Sequence, residues 1–574
     1  MPEVFILSLR CVAMRIAVLD QELCNPEKCS YECIAACPVN RQGEECIYVG
    51  PDKKHPEISE TLCIGCGLCH KKCPFNAWYI VNLPEEKKEN PIMQYGINGF
   101  RVFGLPIPVS GVVGLLGPNG TGKTTALRIL SGQMAPNLGL ISEQKTKEEL
   151  YETLSKTHRG TELQNYFLTL ARHGMKAVYK PQQVSLLPKA VTGKVRDLLK
   201  ECPQEIIVRL EIETCMDREM PQLSGGELQR VAIAAALMKD GDIYYFDEPS
   251  SYLDVRQRVN AAKAIRALSE KKPVMAVEHD LATLDIMADR IHIFYGSPGV
   301  YGIVSHPYAV NKGVNTFLDG YIPEENVKFR EPISFVSSVE KLHSNDVATG
   351  FSDVTKDYGA FSVTVDSDTI YKNEVIGILG ANALGKTTFA RALAEQEGAR
   401  ISYKPQYLES DFVGTVAELL VSTSHDASVM RHMGIERLME RKVANLSGGE
   451  LQRVAIALCL MTEAEIYLLD EPSAHLDVEQ RMSLAKLLKG FGTVMIIDHD
   501  LALLNYVSDR AMLFTGTPGV KGHGTIMPLK QGINEFLKSV DITFRLDPVT
   551  KRPRANKPGS VKDREQKDRG AYYE

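Results

Sequence analysis

Apolar positions in this chain fall into short runs rather than long stretches. Val112–Leu116, 243–246 and Val274–Val277 in the first half, and Val375–Leu379, 466–469 and Val494–Ile497 in the second, span four or five positions and end at glycine or acidic residues. Runs of that length read as strands. A different period governs Leu150, Leu154, Leu163, Phe167 and Leu170, whose spacing is helical and is broken around His158 to Gly160. It predicts a helix–loop–helix. Residues 321–343, polar with Pro323 and Pro332, and the basic stretch after Phe544, with Pro548, Pro553 and Pro558, read as connectors or hinges. No window reaches the ~20 apolar residues of a membrane span. Residues 4–9 are apolar but follow Glu3 and run into Arg10, so no signal peptide is predicted.

The strand runs belong to a repeat. The first copy carries GPNGTGKTT (Gly117, Pro118, Asn119, Gly120, Thr121, Gly122, Lys123, Thr124, Thr125), then KPQ ending at Gln182, LSGGELQR from Leu223, a strand ending in Asp247-Glu248, and EHD around His279. The second carries GANALGKTT (Gly380, Ala381, Asn382, Ala383, Leu384, Gly385, Lys386, Thr387, Thr388), KPQ ending at Gln406, LSGGELQR from Leu446, a strand ending in Asp470-Glu471, and DHD around His499. Lys123 to Gln182 spans 59 positions and Lys386 to Gln406 spans 20, so the first copy holds 39 extra residues. The helix–loop–helix, about residues 140–174, is that insert.

A glycine-rich loop after a strand and ending in Lys-Thr turns successive backbone N–H groups toward phosphates at a helix start. Lys123 and Lys386 then reach the β- and γ-phosphates. Thr124 and Thr387 are candidate Mg²⁺ ligands, as are Gln182 and Gln406, with Asp247 and Asp470 nearby. Glu248 and Glu471, next in sequence, stand where a general base would meet the attacking water, and His279 and His499 where an imidazole would touch the γ-phosphate. Tyr95 and Tyr358 lie 22 residues before Gly117 and Gly380 and are candidates to stack on adenine, with Phe100 and Phe361 as alternatives. Ala383 stands where the first loop has Gly120, and alanine adopts positive φ poorly. The sites are therefore expected to be unequal.

Thirteen cysteines change the picture, because nine fall between Cys24 and Cys73 while Cys11, Cys202, Cys215 and Cys459 are scattered. Cys63, Cys66, Cys69 and Cys73-Pro74 have the C-x2-C-x2-C-x3-C-P spacing of two-cluster ferredoxins. In that pattern the fourth cysteine serves the other cluster, so Cys37 completes the set of Cys63, Cys66 and Cys69, and Cys73 completes Cys24, Cys29 and Cys33. Zinc is the main rival, but two interlocked Cys-Pro runs suit two [4Fe–4S] clusters better. Cys46 is read as a small core residue. The remaining composition is ordinary for a globular chain, 44% hydrophobic and 24% charged. A net charge of -6 makes any nucleic-acid contact regional.

LSGGELQR is the signature of ABC ATPases, and with the cysteine head and the insert the whole chain resembles the subfamily E ABC proteins, the RNase L inhibitor family. The C-terminal run NKPGSVKDREQKDRGAYY is similar to that family's hinge. The resemblance implies an α/β fold with two tandem ABC-type domains arranged head to tail and an N-terminal α+β ferredoxin-like domain. It implies the divisions 1–83 (iron–sulfur), 84–320 (first ATPase domain), 321–343 (hinge), 344–543 (second ATPase domain) and 544–574 (second hinge). ATP at Lys123 would be closed over by Ser447, Gly448 and Gly449, and ATP at Lys386 by Ser224, Gly225 and Gly226. The implied protein is a cytoplasmic monomer that hydrolyses ATP to split post-termination ribosomes into subunits with a release factor, away from membranes. An ATP-gated electron carrier, or the ATPase subunit of a transporter or DNA-repair complex, are the alternatives. Family members begin near Arg15, so residues 1–13 are expected to be a dispensable extension.

Overall fold

A computed structural model describes residues 14–21, 23–49, 54–60, 62–83, 91–96, 98–141, 145–172, 174–335, 346–351, 353–395, 400–406 and 412–574. The expectations for residues 1–13 and for 336–343 of the first connector lie outside these. Two compact units interleave along the sequence: residues 1–107, 119–174 and 294–305 form one, and 108–118, 175–293 and 306–574 the other.

In the first unit, strands Met14–Leu19 and Trp78–Leu83 pair antiparallel, with Leu19 opposite Trp78. They close a small core of Ala17, Cys33, Cys37, Cys46, Ile47, Ile58, Cys69 and Trp78. Helices Glu32–Ala36 and Leu68–Lys72 each stop at a Cys-Pro pair. Proline forces the residue before it out of the helical region, and Cys37 and Cys73 accordingly have ψ of 120° and 119°. Elsewhere in this unit, strands Arg101–Phe103 and Tyr301–Val304 run parallel. The head is keyed to this sheet by Glu60, which takes Asn98 Nδ2 at 2.8 Å and the Arg101 guanidinium. Val18 and Val81 pack with Val300 and Tyr301.

The insert folds as the periodicity predicts, into helices Lys147–Thr157 and Glu162–Arg172. Thr146 and Glu149 form a capping box at the first. The apolar faces bury Leu150, Tyr151 and Leu154 against Leu163 and Phe167. Tyr151 and Tyr166 then anchor the pair to the helix after the phosphate loop, their hydroxyls donating to the carbonyls of Ile129 (2.9 Å) and Leu130 (2.5 Å).

The second unit contains one complete sheet of eight strands, in the order Val354–Asp357, Ser362–Val365, Lys521–Pro528, Arg510–Thr517, Val375–Leu379, Val494–Ile497, Ile466–Asp470, Ile401–Lys404. Every residue of Val375–Leu379 and Val494–Ile497 is buried, as unbroken apolar strands in a parallel sheet require. The last four strands of that order are parallel, so residues following them gather at one edge. Those residues are the loop 380–385, His499, Glu471 and Gln406. The same unit holds the first copy's parallel set, Val112–Leu116, Val274–Val277, Ile243–Asp247 and Ala177–Lys180. Among the described residues no helix is long and apolar enough to cross a membrane.

The C-terminal stretch is a folded element rather than a bare connector. Phe544–Leu546 and Pro553–Ala555 form a hairpin, followed by helix Val561–Asp568. Its interior is polar: Thr543 Oγ1 donates to Asp563 at 2.6 Å, Asn556 Nδ2 to Thr543 Oγ1 at 2.9 Å, and Gln566 Nε2 to the Phe544 carbonyl at 2.9 Å.

Candidate ATP sites and cysteine clusters

The second phosphate loop lies wholly within the second unit and shows the site most completely. Lys386 starts helix Lys386–Ala394, is buried, and donates from Nζ to the loop carbonyls of Gly380 (2.8 Å) and Ala381 (2.7 Å). Gly385 has φ 92°, and a Cβ there would come within 2.8 Å of Val363 and 3.0 Å of Phe361. Only glycine fits. Leu384 drops into the core, whereas Ala383 holds φ 60°.

Around that loop the conserved spacing of motifs becomes a bonded constellation. Thr387 Oγ1 donates to Asp470 at 2.7 Å, and Gln406 Nε2 to Glu471 at 2.7 Å. His499 Nε2 lies 3.0 Å from Asn382 Oδ1 and 3.7 Å from Glu471. Glu471 itself has φ 46°, a left-handed conformation that a glutamate adopts only when its surroundings impose it. Burial, and the Asp470 and Asp498 charges beside it, push its carboxyl up to about 6. Burial together with the Lys386 and Arg258 charges drives His499 well below its usual range, so the imidazole is neutral.

The first repeat contributes to this same site. Asp254 Oδ2 accepts the Asn382 N–H at 3.0 Å. Ser224 caps helix Gly225–Leu237, its hydroxyl donating to Glu227 at 2.9 Å, and Ser447 does the same toward Glu450 at 2.8 Å. The signature glycines pack on residues four positions past each glutamate: a Cβ at Gly226 or Gly449 would sit 2.9 Å from the carbonyl of Tyr252 or His475. Tyr252 and His475, corresponding positions of the two copies, meet edge to face at 5.6 Å.

The first phosphate loop divides between the units after Pro118. In the first unit Gly120 has φ 75° and its carbonyl accepts Gly299 N–H at 3.0 Å. Gly122 stands where a Cβ would meet Val102 at 2.7 Å and Phe100 at 3.1 Å, and Tyr95 OH is 3.2 Å from Thr125 Oγ1. Phe100 and Phe361 thus lie under the loop glycines, while Tyr95 and Tyr358 are exposed. Asn119, Thr121, Lys123 and Thr124 follow in the same unit; Thr121 and Lys123 are buried. Gly117 and Pro118 belong to the second unit, together with Gln182, whose Nε2 donates to Glu248 at 2.7 Å, and His279, whose Nε2 is 3.5 Å from Glu248. Glu248 has φ 46°, matching Glu471.

Two residue pairs escaped the sequence reading. Lys180 and Lys404, the first letters of KPQ, are buried and donate to the carbonyls of Asp247 (2.9 Å) and Asp470 (2.7 Å). Burial lowers both to about 8. Ser250 and Ser473 bond the acids of EHD and DHD, Glu278 at 2.7 Å and Asp498 at 2.7 Å. Their recurrence at one place in each copy was the available signal.

The head brings its cysteines together around a small core. Cys24, Cys29, Cys33 and Cys73 line one pocket with Tyr31 and Trp78. The buried Cys46 faces both Cys37 and Cys63, and Cys69 faces Cys63, Cys66 and Cys33. Burial and neighbouring sulfurs push Cys24 and Cys69 up to about 12. Such thiols become thiolates only beside cations, which suits iron. Backbone N–H groups of Gly65 and Ala77 already point at Cys63 and Cys73 sulfur, each at 3.4 Å.

Family models for an ABC transporter match residues 102–251 and 394–474, for a "Possible Fer4-like domain in RNase L inhibitor" residues 14–45, and for a 4Fe-4S binding domain residues 56–79. ABC transporter E family member 1 of Arabidopsis thaliana is 44% identical, covering 97% of this chain and 98% of its own. The chain belongs to the RNase L inhibitor family, ABC subfamily E. Another relative, an ABC transporter ATP-binding protein of Methanocaldococcus jannaschii, is 49% identical over 98% of this chain and 97% of its own. A solved assembly described as "Model of ribosome-bound archaeal Pelota and ABCE1" matches with a TM-score of 0.91 and 48% identity, over 98% of this chain and 99% of the other. As a subfamily E protein the chain is an ATPase with two ABC domains and an N-terminal iron–sulfur domain. The insert lies within the first stretch of the ABC match, and His279 of the first copy falls between the two.

Proposed function

We propose that this chain is a cytoplasmic mechanical factor that uses ATP to separate ribosomal subunits after termination, alongside a release-factor-like partner. The observation that carries the reading is likeness along the entire chain, cysteine head included, to a protein solved on a ribosome with Pelota. Two [4Fe–4S] clusters are proposed, on Cys63, Cys66, Cys69 and Cys37 and on Cys24, Cys29, Cys33 and Cys73. Mg²⁺ is proposed at Thr124 with Gln182 and Asp247, and at Thr387 with Gln406 and Asp470; when bound it offsets phosphate charge. Divisions at 83, 320, 343 and 543 are proposed as the working parts.

In this mechanism Glu471, held by Gln406, takes the proton of the attacking water, while neutral His499 turns its single N–H from Asn382 Oδ1 to the γ-phosphate. Glu248, Gln182 and His279 do the same in the first site. Ser224, Gly225 and Gly226 from one copy, and Ser447, Gly448 and Gly449 from the other, close on the γ-phosphate with helix-start N–H groups. The Asp254–Asn382 bond supports such pairing, because it ties one copy to the loop that holds the other's nucleotide. Adenine lies against Tyr95 or Phe100 and Tyr358 or Phe361. Hydrolysis removes the γ-phosphate and releases the pairing, so chemistry becomes motion of the head.

Sedimentation with purified subunits decides the matter. In a non-hydrolysable ATP analogue the protein should travel with ribosomal subunits, and with ATP it should convert joined ribosomes to subunits. No co-sedimentation under either condition would refute the proposal.

A further inference from the structure

Both candidate bases hold a backbone conformation that glutamate does not adopt by itself, and the same set of bonds imposes it on each. Glu248 and Glu471 have φ 46°. On one side, the Glu248 N–H donates to the Val277 carbonyl at 3.0 Å and the Glu471 N–H to the Ile497 carbonyl at 2.8 Å. On the other, each glutamate's own carbonyl accepts a glutamine amide, Gln229 Nε2 at 2.7 Å for Glu248 and Gln452 Nε2 at 2.8 Å for Glu471. Lys180 and Lys404, which grip the preceding aspartate carbonyls, reach these same oxygens at 3.3 and 3.5 Å. With both flanking peptides fixed, the residue cannot relax to a right-handed backbone, and its carboxylate stays where Gln182 or Gln406 meets it.

The two glutamines are the last-but-one letters of LSGGELQR. They lie one turn into helices Gly225–Leu237 and Gly448–Met461, at 0% and 2% exposure. Those helices start on the signature serines and glycines. An α-helix is stiff over such a length, so a shift of its first turn toward a phosphate carries the glutamine with it.

We propose that Gln229 and Gln452 are positioning residues: each fixes the base of its own copy and rides on the helix whose start closes on the other copy's nucleotide. The first part stands on the bonds alone; the second rests on the head-to-tail closure proposed above. Engagement of a γ-phosphate at one site thereby sets the glutamate of the other, and the two hydrolyses are coupled. A glutamine that only packed beneath the signature would act differently, weakening closure on the opposite nucleotide and sparing the base of its own copy.

The test uses the full-length, cluster-loaded chain with one site silenced at a time, Glu471→Gln to read the first and Glu248→Gln to read the second. Gln229→Met keeps the side chain's length and loses the donor. In the Glu471→Gln chain it should slow first-turnover cleavage at saturating ATP about tenfold, with half-saturating ATP changed less than about twofold. Gln452→Met should do the same in the Glu248→Gln chain. Ser224→Ala, which loosens the start of the helix that carries Gln229, should raise half-saturating ATP at the second site and slow cleavage at the first, and that slowing should vanish once Gln229→Met is present. Equal slowing of both sites by Gln229→Met, or a raised half-saturation at the second site with first-site cleavage intact, would overturn the proposal; slowing by Ser224→Ala that adds in full to that of Gln229→Met would overturn the coupling. A raised half-saturation at the first site from Ser224→Ala would refute head-to-tail closure and the coupling with it, while the cleavage rates of the glutamine variants still decide the positioning role. An unchanged far-ultraviolet spectrum and visible absorbance identify folded variants; if Gln229→Met is not among them, Gln229→Asn, one methylene too short to reach the carbonyl, takes its place, and Gln452→Met reads the corresponding bond in the second copy.

Discussion

Glu471 sits at the centre of several opposing forces. Burial and two neighbouring carboxylates raise it to about 6, whereas Gln406 and Lys386 favour its charged form. A base works only when deprotonated, so with Glu248→Gln silencing the first site, single-turnover hydrolysis should fall about tenfold per pH unit below pH 6 and level off above it. A profile flat down to pH 5 would remove Glu471 from that role. The sign for stability is opposite: a raised carboxyl binds its proton more tightly in the folded state, so its contribution is present at low pH and is lost as pH climbs through about 6. Ala383 is the second residue with a definite expectation. Its left-handed backbone is strained, and Ala383→Gly should raise stability by roughly 1 kcal/mol in denaturant titrations; an unchanged or lowered midpoint would show that the loop holds no such strain. The two glutamate-to-glutamine variants should also turn over at different rates; equal rates would show that the altered loop has no kinetic consequence. The residues gathered around the phosphate loops were legible because each motif occurs twice. Lys180 and Lys404 were not, since lysine ordinarily belongs on a surface and no pattern announces that two backbone carbonyls will hold it inside.

At the scale of elements, the strands and the insert were readable because their burial is apolar. Leu154 is 1% exposed between the insert's two helices, and Leu154→Ala should cost about 3 kcal/mol in chemical denaturation while leaving iron content unchanged. An unaltered midpoint would mean that the insert does not share the unit's cooperative unfolding. The C-terminal element was misread for a physical reason. Thr543, Asn556, Asp563 and Gln566 are buried by bonding one another, and hydropathy registers such residues as exposed. Basic residues there add to the impression of a solvated tail, yet Arg552 is as buried as Trp78 in the head's core.

For the molecule as a whole, tandem organisation could be counted from repeated motifs, but the interleaving of its compact units could not. Residues 119–174 pack with the cysteine head's segment, while the strand Val112–Leu116 immediately before them packs in the other unit. Long-range contacts decide that division, and they leave no local period to read. The iron–sulfur head was readable because the Cys-Pro pairs fix both spacing and geometry. Cys24→Ser and Cys63→Ser should therefore each lower bound iron, with the Cys63 change sparing the pocket lined by Cys24, Cys29, Cys33 and Cys73. Identical iron loss and identical residual spectra from the two variants would argue against separate clusters.

The bond between Arg552 and Asp285 joins residues 267 positions apart, and this bears on how the chain is made. At synthesis speeds of 5–20 residues per second, the first repeat waits about 15 to 50 seconds after Asp285 is made before the arginine exists. Throughout that interval a carboxylate destined for a dry interior has no counter-charge. The first repeat should thus remain open to proteases on a stalled nascent chain ending before Arg552, and become resistant once the hairpin is released; pulse proteolysis of chains arrested on either side of that position would time the event.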